Sequence, residues 1–366
     1  AAPDGYVTDQ EPQEFTFEYQ GSGTSVAEYA FTFEDEQTTV ELSKADLTDK
    51  KELPGASLKV TDEDGNTVDE WVSKEEAHII KGLIVGKKYK MTETKPADGY
   101  VTAESIEFTV ENTKEVQKHQ MLDDVTKVEI SKKDITDSSE VPGAKLIILD
   151  KDGKKVESWT STDKPHMVEK LPVGEYTLRE EQAPDGYLIA EDVKFTVKDT
   201  GKVQKVKMKD AHPYGKLVIK KTDSTSKAAL SGAEFELREK ESGKVVEKLV
   251  TDKTGTATSG KLPIATYKNG KVEKTVEYIL VETKAPNGYE LSSKKEEIRF
   301  EYKDGKTKVI EIVKEIKNTK SPSGSTPTGN SPKTGDSTNI WLPILRAVLS
   351  ACGIGGVIWY KKKKGN

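Results

Sequence analysis

The sequence holds one cysteine, Cys352, in 366 residues. No disulfide can form within the chain, so some other device has to staple its domains if it works outside a cell. Its four histidines, His78, His119, His166 and His212, follow no metal-ligand spacing, and neither a metal nor a cofactor is expected. Helical periodicity of useful length is missing, which excludes helix bundles and sheets crossed by helices. There is no glycine-rich phosphate loop and no serine, histidine and aspartate constellation in a supporting context, so the chain is not read as an enzyme. Charge of one sign is not concentrated either. Lysine and arginine number 57 against 63 acidic residues, interspersed, for a net charge of −6, and this excludes nucleic acid as a partner. Asp62-Glu63-Asp64-Gly65-Asn66 has the composition of a calcium loop, but its glycine comes too early, and a hairpin turn explains it.

What the sequence does have is a repeat. Lys44, Lys132 and Lys221 recur at 88 and 89 residues, a period that means tandem domains. After each lysine strand comes a Pro-Gly-Ala turn or its variant, at Leu53–Ala56, Val141–Ala144 and Leu230–Ala233. Hairpin signals follow at Asp64-Gly65 and Asp152-Gly153, then a Trp and a His at matching offsets (Trp71 and His78, Trp159 and His166). A Gly-x-x-Tyr strand, a turn ending in Gly-Tyr and two closing strands complete each unit. Extra residues around Ile264 to Glu277, with Asn269-Gly270 as a hairpin turn, mark the third. Short strands with regularly spaced turns predict an all-β chain of tandem immunoglobulin-like β-sandwich domains at 38–124, 125–212 and 213–320. Ala1-Ala2-Pro3-Asp4-Gly5-Tyr6 lacks the regions of a signal peptide and matches Ala183–Tyr187. Residues 1–37 are therefore expected to be the C-terminal remnant of a truncated sandwich, with strands at Phe15–Tyr19 and Tyr29–Phe33 and an unseen head upstream.

A strand has a side-chain period of two, so Val128, Ile130 and Lys132 share the core face while Lys133 turns to water. Val40, Leu42 and Lys44 repeat this pattern, as do Leu217, Ile219 and Lys221. Glutamates enter core phase on the Gly-x-x-Tyr strands as Glu93, Glu180 and Glu282, and the last strands aim Asp123, Asp210 and Asn318 inward. Two readings are open. One is a structural buried ion-pair triad. The other is an autocatalytic amide: a desolvated lysine attacks the acyl side chain, the glutamate shuttles protons, and water leaves from the aspartates or ammonia from Asn318. Such a reaction turns over once.

Lys221-Thr222-Asp223, Gly232-Ala233, Glu282-Thr283-Lys284-Ala285-Pro286-Asn287-Gly288-Tyr289 and Lys317-Asn318-Thr319 together resemble the Cna B-type, or SpaA-like, pilin domain of Gram-positive surface proteins. The resemblance extends over about residues 38 to 320 and, in part, 1 to 37. It implies intramolecular isopeptide bonds that join Lys221 to Asn318 with Glu282 as catalyst, Lys44 to Asp123 with Glu93, and Lys132 to Asp210 with Glu180. The first two units carry Asp where Asn is commoner and lack Lys-Asn-Thr. Asp35, in phase with Phe31 and Phe33, is a candidate acceptor for the truncated domain.

The tail adds a Ser/Thr/Pro/Gly linker ending in a sorting motif (321–335) and a segment at 336–366 with an apolar stretch, Ile340 to Tyr360, before Lys361–Lys364. The linker should be disordered and the apolar stretch should form one transmembrane helix. Ser331-Pro332-Lys333-Thr334-Gly335, then the span, then the lysines resemble a sortase cell-wall sorting signal, with Ser331 in place of the usual leucine. That resemblance implies cleavage after Thr334 and its transfer to peptidoglycan or a pilin lysine, with the chain in the membrane beforehand. The expected protein is a cell-wall-anchored stalk, adhesin or pilin-like, on a Gram-positive surface, with a host or matrix ligand bound through an upstream head. Rival readings are a pilus subunit polymerised by sortase and the wall tether of an upstream enzyme. No pilin-type lysine motif is found, and Pro213-Tyr214-Gly215-Lys216 is read as linker.

Overall fold

A computed structural model describes residues 2–8, 14–23, 28, 30–32 and 34–322. The sorting motif, the apolar stretch 340–360 and Cys352 lie outside the described residues. Among the described residues there is no helix, and none that could cross a membrane. Ala1–Lys320 is one compact unit, built from sheets that recur along the chain.

In the first repeat, β1 (Thr39–Asp46), β4 (His78–Lys81) and β7 (Gln117–Asp123) make a sheet of order β4-β1-β7. Facing it is the sheet β3-β2-β5-β6, from β2 (Ser57–Thr61), β3 (Thr67–Val72), β5 (Lys88–Lys95) and β6 (Ile106–Thr109). The second repeat copies this arrangement. Its β8 (Lys127–Asp134), β11 (His166–Glu169) and β14 (Gln204–Asp210) pair as β11-β8-β14. Its β9 (Lys145–Leu149), β10 (Lys155–Thr160), β12 (Gly174–Gln182) and β13 (Val193–Val197) pair as β10-β9-β12-β13.

The third repeat has β15 (Tyr214–Asp223) between β18 (Thr256–Thr258) and β19 (Leu262–Pro263), with β24 (Val309–Asn318) also on β15. Against it lies β17-β16-β22-β23, from β16 (Glu234–Glu239), β17 (Val245–Val250), β22 (Glu277–Lys284) and β23 (Lys295–Arg299). The extra residues form a hairpin of β20 (Ala265–Lys268) and β21 (Lys271–Thr275). Its turn residues Asn269 and Gly270 both have positive φ, the backbone that such a two-residue turn requires. Each sandwich has its own apolar core, such as Val128, Ile130, Leu146, Leu178 and Met208 in the second. In the first two repeats a Trp–His stack, Trp71 on His78 at 4.1 Å and Trp159 on His166 at 4.4 Å, bridges the edges of the two sheets.

The first and last strands of every repeat run parallel: β1 with β7, β8 with β14, β15 with β24. Parallel neighbours cannot be joined by a hairpin. The whole remainder of each repeat lies between them in sequence.

Two expectations are corrected. Residues 14–20 form no strand, and Phe15, Phe17 and Tyr19 are 52%, 63% and 84% exposed. Alternation signals a strand where a partner strand and an apolar face exist, and the described residues provide neither here; Phe15 instead meets Phe17 and Phe31. Residues 30–32 are not in a strand either. The stretch read as linker at 213–216 is largely strand, since Tyr214 opens β15 and pairs with both Pro263 and Val309.

The repeats meet at defined joints. Thr126 donates its N–H to the Gly99 carbonyl (3.0 Å) and its hydroxyl to Leu171 (2.6 Å), and Lys170 donates to Thr126 (3.1 Å). Lys170 Nζ also reaches Asp46 (3.2 Å) and the Tyr100 hydroxyl (2.6 Å) across this joint, while Thr102 bonds Asp199. At the next joint the β20–β21 hairpin leans on the second repeat. Tyr267 donates to the Gly186 carbonyl (2.8 Å) and stacks on His212 at 3.5 Å.

Candidate functional site

On β1 the lysine is fixed by its own main chain before its side chain does anything. The Lys44 N–H donates to Glu52 Oε2 (3.2 Å), and the Lys44 carbonyl accepts from Leu53 (2.6 Å). Lys132 repeats both bonds with Glu140 (3.0 Å) and Val141 (2.8 Å). In the third repeat Lys221 donates to the Gly255 carbonyl (2.7 Å) and accepts from Leu230 (2.9 Å). Glu52 and Glu140 were not singled out in the sequence, because they stand outside the strands whose period reveals core positions.

So held, the lysine side chains enter the cores. Lys44, Lys132 and Lys221 are 1%, 2% and 0% exposed. Lys133, one residue out of phase, is half-buried and pairs with Glu140 at 2.8 Å. Each buried ammonium site meets two partners. Lys44 touches Asp123 and lies 2.9 Å from Glu93. Lys132 touches Asp210 and lies 3.0 Å from Glu180. Lys221 touches the Asn318 side-chain carbonyl and lies 3.1 Å from Glu282. The structure thus brings together all nine residues singled out in the sequence as three buried sets, each at the end of a parallel strand pair.

Electrostatics separates the two kinds of set. Burial pushes the Asp123 carboxyl up to about 7; Lys44 opposes this, and neighbouring Glu93 adds to it. Asp210 is raised to about 7 in the same way, with Lys132 opposing and Glu180 adding. Two carboxylates and one ammonium in a dry core leave one charge too many, and a shared proton removes it. In agreement, Asp123 Oδ2, Glu180 Oε1 and Asp210 Oδ2 are buried acceptors without a donor, while Glu93 Oε1 faces the Lys44 ammonium at 2.9 Å. The third set has no such excess. Asn318 Nδ2 donates to both oxygens of Glu282, at 3.0 and 3.1 Å. Burial lowers the Lys221 pKa, although Glu282 pulls it the other way. That shift favours the neutral amine, which is the nucleophile.

Each repeat also carries a second inward aspartate, two residues beyond the lysine. Asp134 accepts from Thr136 N (2.6 Å), the Tyr187 hydroxyl (2.7 Å) and His212 Nε2 (2.9 Å). Burial alone would raise its carboxyl, but these donors hold it below the usual range. Asp46 is likewise depressed, its burial outweighed by Tyr100, Thr48 and Lys170. Asp223 is held at about 2 by the backbone of Ser226 and Thr225. A carboxylate is a poor acyl acceptor, so hydrogen bonding singles out Asp123 and Asp210 rather than these neighbours. Among the described residues no cluster of ligands suits a metal ion.

Comparison with known proteins agrees with this architecture. The family described as SpaA, a prealbumin-like fold domain, matches residues 38–124, 126–212 and 215–316. No curated protein matches the chain. The solved structure of the Bacillus anthracis TIE protein is 28% identical with a TM-score of 0.52, and the match covers 77% of this chain and 51% of that one. The chain thus spans about half the length of that relative. BcpA, the major pilin subunit of Bacillus cereus, is 19% identical over 78% of this chain and 99% of its own, with a TM-score of 0.46. The major pilin SpaD from Corynebacterium diphtheriae is 18% identical over 78% and 98%, with a TM-score of 0.37. With three matched domains over most of its length, the chain belongs to the SpaA prealbumin-like fold family.

Proposed function

We propose that the chain is a pilin-like surface stalk whose repeats are closed by isopeptide bonds and which sortase attaches to the wall of a Gram-positive cell. The observation that carries this reading is the threefold recurrence of a buried lysine between an acyl side chain and a glutamate, on neighbouring parallel first and last strands. The units are 38–124, 125–212 and 213–320; residues 321–335 form the linker with the sorting motif, and 336–366 the membrane segment and basic tail.

In the third repeat, neutral Lys221 Nζ attacks the side-chain carbonyl carbon of Asn318. The C–N bond forms, Glu282 passes an amine proton to the departing nitrogen, and ammonia leaves. A cavity of 260 Å³ lined by Glu282, Ser292 and Ile316 offers it a way out. In the other two repeats protonated Asp123 or Asp210 takes the same attack and loses water. Preorganisation supplies much of the rate: contact at fixed orientation can be worth roughly 7–11 kcal/mol. The chemistry happens once per bond, so the chain is its own substrate and not an enzyme.

Intact mass of residues 38–320 is expected to be about 53 Da below the sequence mass, two waters and one ammonia. A mass equal to the sequence would overturn the covalent reading and leave three structural ion networks. Anchoring through Thr334 is tested separately, by replacing Thr334 with Ala and recovering the protein from the medium rather than the wall. A ladder of detergent-resistant multimers from cells would instead favour the polymerised pilus subunit.

A further inference from the structure

The glutamate of every triad is gripped by a main-chain group ten residues further on. Ala103 N–H donates to Glu93 Oε2 at 2.6 Å, Ala190 N–H to Glu180 Oε2 at 2.6 Å, and Ser292 N–H to Glu282 Oε2 at 2.9 Å. All three donors lie in the irregular segment between the Gly-Tyr turn and the next strand, where no strand partner dictates the direction of the N–H. Alanine at two of the three positions shows that the side chain is not what the site uses. In every case the bond engages Oε2 and leaves Oε1 over. Oε1 lies 2.9 Å from Lys44 in the first set and accepts no bond in the second, where Lys132 lies 3.0 Å from Oε2; in the third, Asn318 Nδ2 donates to both oxygens.

We propose that these backbone amides are positioning groups for bond formation: each holds one glutamate oxygen as an acceptor and so fixes the carboxyl against the lysine and the acyl group it serves. Docking of the segment after the Gly-Tyr turn becomes a precondition for chemistry, because a sandwich with that segment loose has a glutamate free to rotate. This rests on the isopeptide reading above.

The test removes the N–H and nothing else. The full chain with Ser292→Ala is compared with the same chain carrying a backbone ester at position 292, its α-hydroxy analogue. Both are trapped unclosed in guanidinium chloride, refolded by dilution at several pH values and followed by intact mass. The Ala amide should lose ammonia from the third repeat as fast as the unmodified chain. The ester should lose it about tenfold more slowly or worse, since a hydrogen bond to a carboxylate is commonly worth that factor. Its pH–rate profile should also move to higher pH, because a carboxylate stripped of a donor binds its proton more tightly. Equal rates and superimposed profiles for ester and amide would overturn the positioning role. Should the third repeat not refold with the ester, the same pair at Ala190, read by loss of water at Asp210, decides. Absence of any mass loss in the unmodified chain would instead sink the isopeptide reading, so the two failures are distinguishable.

Discussion

The two chemistries differ at single residues, and pH separates them. Asp123 and Asp210 sit near 7 when buried against an ordinary value of 3.8, so the folded, unclosed repeat binds a proton that the unfolded chain releases. That contribution to stability is full below about 3.8, and it is lost as pH rises through about 7. In the proposed reaction the protonated acid is also the form attacked. Loss of the two waters should therefore slow above about pH 7, roughly tenfold per pH unit. Loss of ammonia at Asn318 should carry no such limb. Refolding across pH 5 to 9 with intact-mass readout checks this, and parallel profiles for water and ammonia would refute it. Glu282→Ala should leave the mass about 17 Da above that calculated for the same variant with all three bonds closed, the other two having formed. The lysines, glutamates and acceptors were legible in the sequence because a period of two turns phase into direction. The grip of Glu52 and Glu140 on the lysine backbone was not, since neither residue belongs to the periodic part of a strand.

Among elements, the Gly-Tyr turn has the most varied surroundings. Its glycines Gly5, Gly99, Gly186 and Gly288 all have φ between 83 and 88°, where a side chain is strained. Around three of them another segment closes in: a β-carbon on Gly5 would strike the Gly82 carbonyl, on Gly99 the Lys170 carbonyl and on Gly186 the Val272 side chain. Around Gly288 there is open space. Gly288→Ala should therefore cost only the backbone term, about 1 kcal/mol, and Gly99→Ala distinctly more, because it must also pry the joint open. Thermal unfolding of the two variants compares them, and equal losses would mean that the turn does not hold the joint. The sequence showed the turn but not its second role, since what covers it comes from distant segments, the turns after β4 and β11 and the β20–β21 hairpin. The aromatic alternation at 15–19 is the reverse case, a strand pattern that finds no sheet among the described residues.

For the molecule as a whole, the two joints are built differently. The first rests on polar bonds of Thr126 to Gly99, Lys170 to Asp46 and Tyr100, and Thr102 to Asp199, the last of them exposed to solvent. The second adds ring stacking of Tyr267 on His212 and a turn lodged beside Glu140. Replacing residues 266–274 with a two-glycine turn should loosen the second joint, leaving it the Tyr302 hydroxyl on the Tyr187 carbonyl (3.0 Å) and the Ile189 N–H on the Gly305 carbonyl (2.8 Å), and leave the first joint unchanged. Fluorescence energy transfer between labels on the second and third sandwiches measures this, and an unaltered distance distribution would contradict it. The parallel pairing of first and last strands has a further consequence once the clamps are closed. The residues that the proposed bonds would link stand 79, 78 and 97 positions apart in sequence. A pull entering at one end of a repeat crosses from lysine to acceptor and bypasses everything between. At about 3.4 Å per residue, roughly 850 Å of chain is withheld from extension. A chain clamped in this way would keep its length under drag, its reach set by the folded repeats rather than by the force upon them.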